Sequence, residues 1–299
     1  MQRQMKITYH YNSGFSIRIG ATLLVFDYWE GENRKLPEAG RLNRQILSAF
    51  EHIYVFVSHG HPDHFSSLIY EWREDLPVTY IVSYDMPVGT RGKRISPLET
   101  ITLSPDISVT AYDSTDLGVS FLVKAYGMSI FHAGDLNLWH WREESSLREI
   151  EAAEKAFDEA IAPIAKENVD IAMFPVDPRQ GQMFDAGANL FILRVKPKVF
   201  IPMHWQNRPE VAVEFARRAS SKQTAVFALL KPRERIVVAF EDEVMTIEVF
   251  NQKEAPLVRE EPKEEPKETE PAVAYFTAED PFLESDLPVN MEKEKGETL

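Results

Sequence analysis

The sequence predicts an α/β protein in which sheets are covered by helices. Three observations lead there. Short β-rich runs fill the first half of the chain. One long amphipathic segment follows, and after it strand-like and helix-like stretches alternate. Within the first half, "FSIRIG" and "TLLVFDYW" read as paired strands, and "HIYVFV" as a short strand of the buried kind. "VTYIVS", "ISVTAY", "VSFLVKAY" and "MSIFHA" continue the series. The segment "ESSLREIEAAEKAFDEAIAPIAKE" places Leu147, Ile150, Ala153, Phe157 and Ile161 at helical spacing with acids between them. "VDIAMFPV" then reads as a strand, "AGANLFILRV" as a helix and "KVFIPM" as a strand. "PEVAVEFARRASS" is a helix opened by Pro209 in its first turn. The strands "AVFALL" and "VMTIEVF" close the region.

From Asn251 the composition changes. "QKEAPLVREEPKEEPKETEPAV" is rich in Pro, Glu and Lys and has too little apolar surface to offset the entropy of ordering. The expected organisation is one domain over 1–250 and a disordered acidic tail over 251–299, with docking onto this chain or a neighbouring subunit as the alternative for the tail. That tail holds six Lys/Arg and fourteen Asp/Glu, so more than half of the formal net charge of −14 lies there. The acidic balance argues against a nonspecific nucleic-acid or anionic-membrane surface. It leaves open a small anionic substrate held by a local dication. Cysteine is absent, so any metal site must use His, Asp and Glu. With no apolar signal core in "MQRQMKITYHYNSGF" and no apolar run of membrane-spanning length, the expectation is a soluble cytoplasmic protein, its oligomeric state open to self-association.

The chemistry concentrates in "VFVSHGHPDHFSS". His59, His61, Asp63 and His64 follow a strand, and Gly60 and Pro62 suit a tight turn that aims several side chains at one point. Imidazoles and carboxylates are what a borderline dication takes. One loop offering four ligands exceeds the needs of a single tetrahedral ion. Two ions are therefore expected, His59 and His61 on one, Asp63 and His64 on the other.

"HGHPDH" resembles the His-x-His-x-Asp-His signature of the metallo-β-lactamase superfamily, and the resemblance extends over about residues 5–250. It implies a four-layer αββα sandwich and a metal-dependent hydrolase with two divalent ions, zinc first, manganese or iron as alternatives. It implies that Asp135 of "FHAGD" bridges the ions and that His204 of "PMHW" completes the second. Asp63 and His204 belong to the catalytic machinery, with Asp63 orienting the attacking water. Asp27 would stand behind the ligands. The "HAGD" form resembles that of a subgroup including sugar-phosphate lactonases, with His132 in a supporting role. One element departs from the pattern: between the first motif and Asp135 there is no further histidine, and "AYDSTDLGVSFLV" offers Asp116, or Asp113, in its place. A carboxylate there makes the site harder and more anionic. His140 between Trp139 and Trp141 suggests an aromatic flap or simple packing; Asp177 and Arg179 suggest a substrate contact or a loop ion pair. Hydrolysis of an ester, lactone, amide or phosphodiester is the expected reaction, against a noncatalytic metal sensor or a diiron redox protein on the same scaffold.

Overall fold

A computed structural model describes residues 3–250, apart from 142, 220, 222, 242 and 243, together with 272–276. The strands run in chain order as β1 (Arg3–Tyr11), β2 (Gly14–Ile19), β3 (Thr22–Phe26), β4 (His52–Val57), β5 (Val78–Ser83) and β6 (Lys93–Ile95). They continue as β7 (Thr100–Ser104), β8 (Ile107–Tyr112), β9 (Ser120–Ala125), β10 (Met128–His132), β11 (Ile171–Pro175), β12 (Val199–Met203) and β13 (Ala225–Val226). The last three are β14 (Arg235–Glu241), β15 (Val244–Phe250) and β16 (Ala272–Phe276). Two sheets result, ordered β16-β15-β14-β1-β2-β3-β4-β5-β6 and β13-β12-β11-β10-β9-β8-β7. Each is antiparallel on one side and parallel on the other, with β3 to β6 and β10 to β13 forming the parallel parts.

The pattern follows from the residues. β4 is apolar on both faces and buried on both, as a central parallel strand requires. β1 alternates: Met5, Ile7 and Tyr9 enter the core between the sheets, while Lys6 and Thr8 face outward and are only partly covered. The helices α2 (Leu147–Ile164), α3 (Ala186–Val195) and α4 (Pro209–Ala219) contribute Phe157, Ile161, Phe191, Val211 and Phe215 to the same core from the far side of the second sheet. A capping box between Ser146 and Glu149 starts α2. On the outer face of the first sheet, Leu23, Val25, Ile53 and Val55 are covered by Leu36, Leu42, Leu47, Ile69 and Trp72. The covering layer there is the four-residue α1 (Arg44–Leu47) and 3₁₀ segments such as Ser67–Glu74 rather than long helices.

The layers are thus the expected four, with three differences in detail. β1, β6, β7 and β14 were not among the expected strands; β1 and β14 belong to the first sheet and pair with each other, Met5 opposite Val238. "AVFALL" forms a strand only at Ala225–Val226, because the Glu234 carboxylate takes the backbone N–H groups of Leu230 (2.6 Å) and Lys231 (3.2 Å). Within the tail expected to be disordered, 272–276 forms β16, antiparallel to β15; the rest of that expectation lies outside the described residues.

Candidate metal centre

Parallel strands place their C-terminal ends on one edge, and the loops leaving those ends carry the site. After β4 the chain makes a tight turn in which the His61 carbonyl accepts from the N–H groups of His64 (3.1 Å) and Phe65 (3.0 Å). Asp135 follows β10, Asp177 follows β11 and His204 follows β12. Asp27, at the end of β3, has φ 41°, and His204 has φ 61°; both hold a left-handed backbone that non-glycine residues rarely adopt. Such strain persists only where neighbours hold it. The Asp27 N–H donates to the Phe56 carbonyl at 3.0 Å, and the His204 N–H to Asn12 at 3.3 Å.

Three groups of ligand atoms form, each within 4.8 Å: His59, His64 and Asp135; Asp63, His64 and His204; His61, Asp116 and Asp135. The structure therefore gathers all seven expected ligands. Asp116 joins His61 and Asp135, whereas Asp113 caps the Ser114 N–H at 3.0 Å as a turn residue. Gly118 makes this approach feasible. At φ +76° it lies so close to the end of β4 that a Cβ would stand 2.0 Å from the Ser58 carbonyl oxygen.

Each buried imidazole is fixed by its other nitrogen. His59 Nδ1 meets Ser58 Oγ at 3.0 Å, His64 Nδ1 meets Asp27 Oδ2 at 2.8 Å, and His204 Nδ1 meets Asp177 Oδ2 at 2.8 Å. Asp27 is held in turn by the Ser58 N–H (2.8 Å) and hydroxyl (2.6 Å). Asp63 accepts from the Asn12 amide at 3.1 Å. His64 Nε2, His204 Nε2 and Asp135 Oδ1 are buried without a hydrogen bond, although they face one another at 3.0 and 3.4 Å. Orphaned buried nitrogens opposite a carboxylate oxygen are what a cation between them would satisfy. The donor set fits a borderline or hard dication.

Electrostatics agree. Burial pushes the Asp135 carboxyl up, but the charges of His64 and His204 outweigh it and hold it well below the usual range. Asp63 is held below its usual range too, where burial is outweighed by His204, whose Nε2 lies 3.3 Å from Oδ2, and by His64. Burial opposes charge on His204, yet Asp135, Asp177 and Asp63 push it up to about 9, and Asp135 and Asp27 raise His64 well above its ordinary value. His59 is pushed down to about 4 by burial and by His64. The pocket thus keeps its carboxylates ionised and favours positive charge at its centre.

Among the remaining candidates, His132 is buried and stacked on Phe26, with its Nε2–H donated to the Ser13 carbonyl at 2.8 Å and Nδ1 accepting from Gly134 N–H at 3.2 Å. It supports the site as a neutral imidazole. His140 joins no ligand group. Trp139 donates Nε1–H to the Asp135 carbonyl at 2.7 Å, and Trp141 donates to the Arg179 carbonyl at 3.0 Å. Asp177 and Arg179 form an ion pair, in which Arg179 Nε lies 2.9 Å from Asp177 Oδ2, and the fully buried Asp177 serves His204. Ser58 and Asn12 escaped the sequence reading. Their only signal was position, beside the first histidine and at the end of an alternating strand. A cavity of about 360 Å³ adjoins Asp63 and is lined by Tyr11, Asn12, Trp29, Lys35, Gln206 and Asn207, among others.

No protein-family model matches the chain. Among solved structures, Igni18, a metallo hydrolase from the archaeon Ignicoccus hospitalis, superposes with a TM-score of 0.59 at 18% identity, covering 80% of this chain and 100% of its own. The metallo-β-lactamase fold protein YhfI of Bacillus subtilis superposes with a TM-score of 0.50 at 13% identity, covering 80% and 100%. The fold is that of the metallo-β-lactamase superfamily. Similar sequences include a UPF0173 metal-dependent hydrolase of Opitutus terrae, 26% identical over 241 residues, which span 72% of this chain and 91% of the relative. One of the same description from Alkaliphilus metalliredigens is 24% identical over 226 residues, 69% and 88%. The matched region thus accounts for nearly the whole length of these relatives. Among the described residues no helix is long and apolar enough to cross a membrane.

Proposed function

We propose that this protein is a metal-dependent hydrolase that holds two divalent ions and cleaves an ester, lactone or phosphodiester of a small molecule. The observation carrying this reading is the convergence of His64 Nε2, His204 Nε2 and Asp135 Oδ1 on one buried point, each imidazole locked from behind. The relatives described as metal-dependent hydrolases support it. His59, His61 and Asp116 would hold one ion and Asp63, His64 and His204 the other, with Asp135 between them. Each set offers two imidazoles and a carboxylate besides Asp135, which suits zinc; Asp116, standing where a third imidazole is expected, makes the first set harder and admits manganese or iron. Such ions lower the pKa of water from 15.7 to roughly 7 and polarise the bond to be cleaved.

The chain's own residues do the rest. Asp63, held by Asn12 and ionised, orients the attacking water. Asp27 and Asp177 keep the imidazole nitrogens of His64 and His204 aimed inward. The cavity beside Asp63 receives the substrate, with Tyr11 and Trp29 as its aromatic wall and Lys35, 3.8 Å from Glu32 in the same lining, as its cation.

Elemental analysis of protein purified without chelator should find close to two transition-metal ions per chain. A panel of phosphodiesters, lactones and thioesters, with Zn, Mn or Fe restored, should reveal hydrolysis that His61→Ala and Asp135→Ala abolish while circular dichroism stays unchanged. Protein without bound transition metal, or activity intact in Asp135→Ala, refutes the proposal.

A further inference from the structure

We propose a second ligand site, for a compact phosphorylated small molecule, in a cationic cavity on the outer face of the first sheet. It shares no residue with the metal centre and does not depend on the hydrolase reading. The outward register of β1 and β2 and the turn before β14 bring Lys6, Arg18, Arg41, Arg233 and Arg235 around one hollow of about 220 Å³. No Asp or Glu lines it. In a chain with net charge −14, five cations around an acid-free hollow oppose the average composition. Arg41 is already paired with the buried Glu30 at 3.4 Å, and Arg18 and Arg233 are the cations that an anion in the hollow would neutralise.

How the cations are held points the same way. Arg18 donates Nε–H to the Gly20 carbonyl at 3.2 Å and lies over the Phe50 ring at 5.7 Å; among the described residues no carboxylate pairs with it. Arg233 keeps a left-handed backbone, φ 75°, pinned by its N–H to the Tyr9 carbonyl at 2.9 Å, and its side chain has no carboxylate partner there either. A strained residue whose side chain lines a hollow is a feature of ligand clamps. The wall opposite is apolar, formed by Leu23, Leu42 and Phe50. At the floor, the buried His10 meets Gly40 and the Ser16 hydroxyl at 3.0 and 2.8 Å, giving the cavity a rigid polar base. Arginine forks recognise phosphate oxygens, and the apolar wall accepts the rest of the molecule. The volume lies below that of drug-sized pockets, which selects a compact ligand.

Isothermal titration calorimetry of the full, metal-containing chain with pyrophosphate and with adenosine monophosphate tests the assignment. Saturable binding in the micromolar range is expected, weakened about tenfold or more by Arg18→Glu combined with Arg233→Asn, the asparagine keeping the left-handed backbone. Should that double variant fail to fold by circular dichroism, Arg18→Gln at its exposed position should still weaken binding about threefold. No saturable binding below about 1 mM, or affinity unchanged in the folded variant, overturns the proposal.

Discussion

Replacing Asp177 by alanine should weaken metal binding without touching a ligand. The carboxylate is fully buried, and its Oδ2 lies 2.8 Å from His204 Nδ1 and 2.9 Å from Arg179 Nε. Its removal leaves the buried His204 free to rotate or to change tautomer, so that Nε2 no longer faces Asp63 and Asp135. Loss of a carboxylate behind a ligating imidazole costs typically 10–100-fold in metal affinity, which corresponds to about 1.4–2.7 kcal/mol. Asp177→Asn keeps an oxygen for Nδ1–H and should lose less. Arg179→Met removes the other partner of Asp177 and should leave zinc affinity within a factor of about three, since the His204–Asp177 bond remains. Competition with a chromogenic zinc chelator measures all three, with thermal melting of the chelated proteins as the check on folding. Unchanged affinity in a folded Asp177→Ala protein would refute the assignment of Asp177 as the group that aims His204, and would restore a substrate-facing role for the pair.

Three further outcomes are expected. Gly118→Ala forces a Cβ to within 2.0 Å of a backbone oxygen at φ +76°, so the 113–119 loop must move; urea unfolding should show a loss of more than about 2 kcal/mol. Burial pushes His10 down to about 4 from its ordinary 6.5, opposed by the Gly40 carbonyl, with Tyr28 edge-on, the Ser16 hydroxyl at 2.8 Å and no carboxylate among the cavity's lining residues. The folded form therefore stays neutral while the unfolded chain takes up a proton. Stability should fall from pH 6.5 towards pH 4 by up to about 3 kcal/mol in total, and denaturant titrations of His10→Gln should lack that component; parallel pH curves for the two proteins would refute it. Asp116→His should raise zinc affinity at the first ion and shift metal preference away from manganese, whereas Asp116→Ala should drop metal content towards one ion per chain; equal metal content in all three proteins would exclude Asp116 as a ligand.

The legibility of this chain followed the range over which each feature is encoded. β4, α2 and α3 are local: an apolar run, a capped amphipathic stretch and a ten-residue helix each declare themselves within their own window. The ligand loop is local as well, four donors in six residues. β1 and β14 were not expected as strands although Met5, Ile7 and Tyr9 alternate cleanly; β1 pairs with β2 across a tight turn as well as with the distant β14, and no local window contains that second pairing. The supporting shell is least legible of all. Asp27 was expected behind the ligands only through the family resemblance, whereas Asp177 looks like a turn aspartate until the folding of β11 against β12 turns its carboxylate towards His204. That division has a physical reason. Coordinating an ion requires atoms of a few types, which a motif can display, whereas aiming them requires a second atom in hydrogen-bond reach of each, which any Asp, Ser or Asn brought near can supply. The same logic explains Asp116. Gly118 and the Ser58 carbonyl fix where the loop passes, and a short carboxylate reaching from that loop meets His61 and Asp135 in a space where the backbone has already come close.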